Sequence, residues 1–252
     1  MRKLIILTAL FVALSQLAFA APADPDSLGE VESPWSGGME MAATNNYLWR
    51  GMTVNEAAIL QPAAWLTYQN ITFSLWSSWT LGDPKEDIKR NEIDAALTYD
   101  FEVKNFSVET YFNYYHYIDQ PDAPSTGEVA CIVGYPLGIV TVKAAAMFDV
   151  VEYPGAVYLE QGLEIEKEIN DQLGVAGALS LGSGLKKFNE AYFEMDKPMT
   201  YLVSVDGRLT YSFANGIYAQ PYFQFNKILN NDLKIYLKDH TSSVGIIFGK
   251  EF

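Results

Sequence analysis

The sequence has one cysteine, Cys131, and two histidines, His116 and His240, in 252 residues. A single thiol excludes an intrachain disulfide. Two distant histidines and one cysteine do not make the clustered ligand spacings of a zinc site. Basic residues are also scarce, with 17 Lys and Arg against 31 Asp and Glu, for a formal net charge of −14. Nucleic acid is therefore not an expected partner, because phosphate binding needs a basic face. Past the N-terminus no segment approaches the ~18 uninterrupted apolar residues of a spanning helix. There is no glycine loop joining strand to helix to cradle a phosphate, and Gly182 and Gly184 follow a strand instead.

Apolar residues nevertheless make up 49% of the chain, including 16 Tyr, 14 Phe and 5 Trp. A chain rich in apolar side chains but without apolar runs disperses them over alternating strands, as membrane barrels do, with aromatic girdles at the two interfaces. The N-terminus supplies the export signal. Arg2 and Lys3 precede an apolar run from Leu4 to Leu14, which closes on Ala18-Phe19-Ala20. That pattern reads as a secretory signal over 1–20, with the mature chain starting at Ala21. Its removal takes two basic residues and no acid, moving the net charge from −14 to near −16.

From Ser36 onward, period-two alternation dominates and helical periodicity is nearly absent. Tyr201, Val203, Val205, Gly207, Leu209, Tyr211 and Phe213 point one way, and Leu202, Ser204, Asp206, Arg208, Thr210 and Ser212 the other. Ile217, Ala219, Pro221, Phe223 and Phe225 then face out while Tyr218, Gln220, Tyr222, Gln224 and Asn226 face in. Twelve runs follow this pattern, at 37–45, 57–68, 70–80, 90–101, 105–116, 126–135, 138–150, 155–167, 171–182, 199–213, 216–227 and 241–252. Each is close to the ~9–11 residues of a tilted transmembrane strand. Connections alternate long and short along the whole chain, the long ones at 46–56, 81–89, 117–125, 151–154, 183–198 and 228–240. Short turns at one end opposite longer loops at the other are characteristic of outer-membrane barrels.

The expected fold is therefore all-β, a transmembrane antiparallel up-and-down barrel of about twelve strands with long outer loops and short periplasmic turns. Residues 1–20 are the signal, 21–35 a short periplasmic tail and 36–252 the barrel, in the bacterial outer membrane. In the last run Val244, Ile246, Phe248 and Phe252 share a face, and Phe248 and Phe252 resemble the terminal pattern that the outer-membrane assembly machinery is expected to read, although Lys250 occupies a place usually apolar. Cys131, within an alternating strand, is expected to be a small packed residue with nothing nearby to activate its thiol.

With the apolar set facing lipid, the opposite set lines the lumen: Glu40, Asp94, Asp100, Glu109, Glu128, Lys143, Asp149, Glu160, Glu164, Glu166, Asp206 and Arg208. Ten acids against two bases favour cations, as carboxylate rings do. Glu160, Glu164 and Glu166 are expected to form an acidic ladder on one strand. Tyr111, Tyr115, Tyr158, Tyr218 and Tyr222 also face in, either to stack on a sugar or nucleoside or to occupy volume. The segment Asn45-Tyr47-Leu48-Trp49-Arg50-Gly51 breaks the alternation. Arg50 in it either pairs with an interior carboxylate and fixes a loop in the mouth, or belongs to an ordinary interfacial girdle.

That segment also carries a resemblance. Asn45-Asn46-Tyr47-Leu48-Trp49-Arg50-Gly51-Met52-Thr53, followed by Gln61-Pro62-Ala63-Ala64, resembles the start of the TorF-type outer-membrane porin family. Asn91-Glu92-Ile93-Asp94 with Tyr99 is similar to the family's next element, a Glu-x-Asp strand ahead of an aromatic strand. The likeness is strongest over 40–115, and the Tyr-Tyr-Pro that the family often carries near Tyr114-Tyr115 is missing. It implies a signal-bearing barrel with a transport role and names no substrate.

Two readings stand. One is a porin-like channel for passive diffusion of small solutes, cation-preferring through its acidic lumen. The other is a closed structural or adhesive barrel acting through its outer loops, since twelve strands lie between packed small barrels and open porins. A lipid hydrolase using His116 with Asn113 and Ser125 is a lesser alternative, because no nucleophile stands out; no catalytic residue and no cofactor are expected. Asp83, Glu86 and Asp87 are read as solvated loop charges rather than a calcium site. The expected partners are outer-membrane lipid, the assembly machinery and small solutes, with polyanions repelled.

Overall fold

The computed structural model describes residues 33–81, 90–118, 120 and 123–252. The expected signal segment over 1–20, nearly all of the expected tail and the loop acids Asp83, Glu86 and Asp87 lie outside these residues. Twelve antiparallel strands close into one barrel: β1 (Trp35–Thr44), β4 (Ile59–Tyr68), β5 (Ile71–Thr80), β6 (Asn91–Val103), β7 (Phe106–Ile118), β8 (Thr126–Leu137), β9 (Val140–Asp149), β10 (Val157–Asn170), β11 (Leu173–Gly184), β12 (Met199–Ser212), β13 (Ile217–Ile228) and β14 (His240–Glu251). Between β1 and β4 lies a separate two-stranded hairpin, β2 (Tyr47–Trp49) and β3 (Met52–Asn55). The expected strands match to within about three residues.

Closure runs through β1, where Glu40 sits between Gly249 of β14 and Ala63 of β4. A closed sheet leaves no unpaired edge, which a hydrocarbon surround would penalise by several kcal/mol per orphaned group. The outward positions carry Leu97, Phe112, Leu163, Leu179, Phe223 and Phe248, all exposed. Such a continuous apolar surface is the belt of a membrane barrel rather than the exterior of a water-soluble one.

Turn chemistry separates the two ends. Gln69, Lys104, Gly138 and Asn215 take left-handed φ angles of 55°, 59°, 67° and 63° in the short connections, the conformation that tight hairpins demand. The first and last strands meet there, where Gly37 and Phe252 exchange backbone hydrogen bonds of 3.1 and 3.0 Å. The opposite end carries the long connections. One of them holds a helix, α1 (Lys186–Phe193), and another a single 3-10 turn (Asn231–Ile235). Period-two alternation predicts plain loop over 183–198, because eight residues offer barely two turns of helical pattern.

Two orientations differ from expectation. Opposite β11, Gly182 pairs with Leu202 but Ser183 with Thr200, so Tyr201 is the extra residue of a β-bulge. The bulge turns Tyr201 inward beside Leu202, and both are buried, whereas strict alternation has Tyr201 facing out. Cys131 is not packed: it is exposed on the outward face of β8.

Candidate functional site in the barrel interior

The β2–β3 hairpin folds into the mouth at the loop end. Arg50 and Gly51 both have positive φ, 46° and 82°, as the two central residues of a tight primed turn require. Arg50 pays a steric cost there that glycine would not. Long-range contacts hold it. Its Nη1 and Nη2 donate to Glu128 Oε1 and Oε2 at 2.6 and 2.8 Å, and the Tyr115 hydroxyl donates to the same carboxylate at 2.7 Å. The Tyr201 hydroxyl donates to the Arg50 carbonyl at 3.0 Å. The guanidinium lies over Trp49 at 4.4 Å and Tyr158 at 4.5 Å, within cation–π range. A planar fork on a carboxylate between aromatic faces suits arginine and not lysine.

Helix α1 completes the closure. Phe188 and Phe193 pack with Tyr158, Tyr201 and Leu202, joined by Leu233 and Leu237 from the last loop. Trp49 and Tyr192 seal the edge. The Asn189 amide donates to the Gly184 and Lys197 carbonyls at 2.8 and 2.7 Å, tying the helix to both ends of its own loop. Outside this cluster, Lys227 and Lys234 both contact Asp239, which holds its carboxyl below the usual aspartate range.

Toward the turn end the interior is polar. Lys143 Nζ sits 2.5 Å from Glu164, Tyr218 donates to Glu40 at 2.7 Å, and Ser204 donates to Asp206 at 3.1 Å. Arg208 interacts electrostatically with Glu166, Glu164, Glu40 and Asp206, with no direct hydrogen bond from its guanidinium nitrogens among the described residues. Ala145, Gly162 and Ala178 leave a cavity beside Lys143, Glu160 and Glu164. Midway, Asp94 and Thr98 are 1% exposed and Asn113 0%. Side chains thus fill the interior there rather than border an open bore.

All twelve strand positions read as interior lie on the inward side, and Arg50 reaches them from the hairpin. Their roles differ. Asp149 accepts from Thr126 at 2.6 Å and from the Val151 and Tyr153 amides at 3.0 and 2.9 Å, so it shapes the β9–β10 loop. The expected ladder of like charges is broken, since Glu164 pairs with Lys143 and Glu166 is exposed near the turn end. Tyr111, Tyr115 and Tyr158 are each at most 3% exposed and fill the closed mouth. Alternation also places Glu92 inward, two residues before Asp94. It escaped the interior set although parity alone identifies it. His116 Nδ1 lies 3.0 Å from Ser125 Oγ on the outer rim, but Asn113 is buried on the other side of the wall, so these three do not assemble into a triad.

No protein-family model matches the sequence, and no curated protein matches it. Among solved structures, the NanC porin aligns with a TM-score of 0.54 at 11% identity, over 84% of this chain and 97% of its own. The KdgM porin in complex with disordered oligogalacturonate gives a TM-score of 0.48 at 9% identity, over 86% and 98%. The COG4313 outer membrane channel from Pseudomonas putida F1 gives 0.48 at 12%, over 91% and 99%. At such identities the likeness to NanC is one of fold. With the closed sheet and its apolar exterior, it defines the class: this chain is a bacterial outer-membrane β-barrel of porin-like architecture.

Proposed function

We propose that the chain is a porin-like diffusion channel, not an enzyme, whose mouth is shut in the arrangement described and whose open state passes small cations or neutral solutes. The supporting observation is the inward excess of carboxylates, to which Glu92 and Glu251 add, against Lys143 and Arg208 on the strands. A filler of ion pairs would balance its signs. Carboxylates crowded around a narrow path raise the local cation concentration instead. The Asn45–Thr53 segment, through which the chain resembles TorF-type porins, is the hairpin that closes the mouth, and we read the chain as a relative of that family. Outer-membrane lipid against the apolar belt and the assembly machinery at Phe248 and Phe252 complete the partners in this reading.

The aromatic plug favours a second reading, a permanently closed barrel acting through its loops. Current from refolded protein in a planar bilayer under a KCl gradient separates the two. A channel gives brief openings with a cation-selective reversal potential, and Glu109→Gln and Glu160→Gln lower that selectivity. Silence from folded barrels, including a variant with the Arg50–Glu128 pair removed, would overturn the channel reading.

A further inference from the structure

Behind the hairpin, Glu92 and Asp94 occupy consecutive inward positions of β6 and are 3% and 1% exposed. They lie within hydrogen-bonding reach of each other, yet ionised carboxylates only accept. The contacts around them do not resolve this. Tyr47 lies close enough to Glu92 to interact with it, and the Asn113 amide nitrogen reaches Asp94 Oδ2 at 3.3 Å, a long contact. Among the described residues Asp94 Oδ1 has no donor, and neither does Asn113 Oδ1. Ser78 stands directly opposite Glu92 in the β5–β6 ladder, wholly buried, with its hydroxyl unpartnered among the described residues. Arg50 is engaged by Glu128.

Two acids facing one another beside unpartnered amide and hydroxyl oxygens form an electron-rich pocket, which is costly to bury without a positive charge between them. We propose that Glu92 and Asp94, with Asn113 Oδ1 and Ser78 Oγ, bind a hard cation of the calcium type inside the barrel wall. The donors are all oxygens of mixed charge, which suits calcium and its variable coordination. No third carboxylate, histidine or cysteine joins them among the described residues, so soft transition metals are poorly served. Because Tyr47 of the hairpin also touches Glu92, the ion ties β2 to the wall whether or not the barrel conducts.

The geometry supplies its own reporter, since Trp76 is the ladder neighbour of Asp94 and its ring lies tilted against Tyr47 with centroids 5.5 Å apart. Refolded full-length protein, freed of metal with chelator, is titrated with terbium under indole excitation. The site predicts saturable sensitised emission that excess calcium displaces, that Trp76→Phe dims, and that Glu92→Gln and Asp94→Asn each weaken by about tenfold or more in affinity. Heat-modifiable gel mobility checks that each variant is folded. Should the acid variants not fold, calcium must raise the urea midpoint of wild type and fail to raise that of Ser78→Ala to the same extent. No sensitised emission, or emission and midpoints indifferent to these changes, overturns the proposal. A shared proton, or Arg90 at the start of the strand, would then neutralise the pair.

Discussion

Replacing Arg50 by alanine tests how the mouth is held. The pair it forms with Glu128 is nearly dry, with side-chain exposures of 8% and 4%. Removing one member of a buried pair costs about 3–5 kcal/mol. Glu128 keeps the Tyr115 hydroxyl and regains water from the opened mouth, so the lower figure applies. At about 1.4 kcal/mol per tenfold, a loss of roughly 3 kcal/mol raises the open population of the hairpin roughly a hundredfold. Hydrogen exchange measured by mass spectrometry over 47–55 reads that population, because local opening sets amide protection. Arg50→Ala should speed exchange there by about two orders of magnitude and leave the barrel strands unchanged. Arg50→Lys should fall between, keeping the charge and losing the fork. A cycle with Glu128→Ala should show strong coupling. Should Arg50→Ala shift exchange only by the roughly ±0.5 kcal/mol of an ordinary surface change, the Arg50–Glu128 pair does not latch the hairpin and the aromatic packing alone closes the mouth.

Other expectations are quickly checked. Gly51→Ala places a Cβ at φ +82° and 3.0 Å from Ile228, and should cost about 1–2 kcal/mol of hairpin stability in the same exchange experiment. Gly182→Ala drives a Cβ to 2.1 Å from the Tyr158 hydroxyl; the overpacking should lower the urea midpoint by the equivalent of about 1–3 kcal/mol. In proteoliposomes Cys131 should react with an apolar maleimide and resist a charged, water-borne thiol reagent; the reverse would place it on the lumen side. The depressed carboxyl of Asp239 contributes stability at pH above the unfolded aspartate value of about 3.9, lost only as pH falls below that through the folded value. Acidification from pH 7 to 5 should therefore leave exchange in the 229–239 loop unchanged, and loosening in that interval would contradict the Lys227 and Lys234 contacts.

Amino-acid order by itself determined the barrel. Strand periodicity is local: each side chain's face follows from the pleat, so alternation in Ile217 to Asn226 can be read without knowing the partners of that strand. The turns are in part equally local, since Asn215 suits a left-handed corner wherever the chain runs. The closure of the mouth is legible only in part, for the opposite reason: the sequence allows Arg50 to pair with an interior carboxylate but does not say which one. Arg50 meets Glu128 across 78 residues and Tyr201 meets Arg50 across 151, distances at which no spacing rule operates. The bulge that turns Tyr201 inward and the role of Asp149 in shaping a loop likewise depend on which strands lie side by side. Apolar residues such as Trp76 and Ile132 also point inward, against a reading that assigns every apolar face to lipid. Alternation tells a side chain which face it occupies; only the closed sheet decides what waits for it there, because packing inside a barrel is set by strands that meet through closure rather than through sequence.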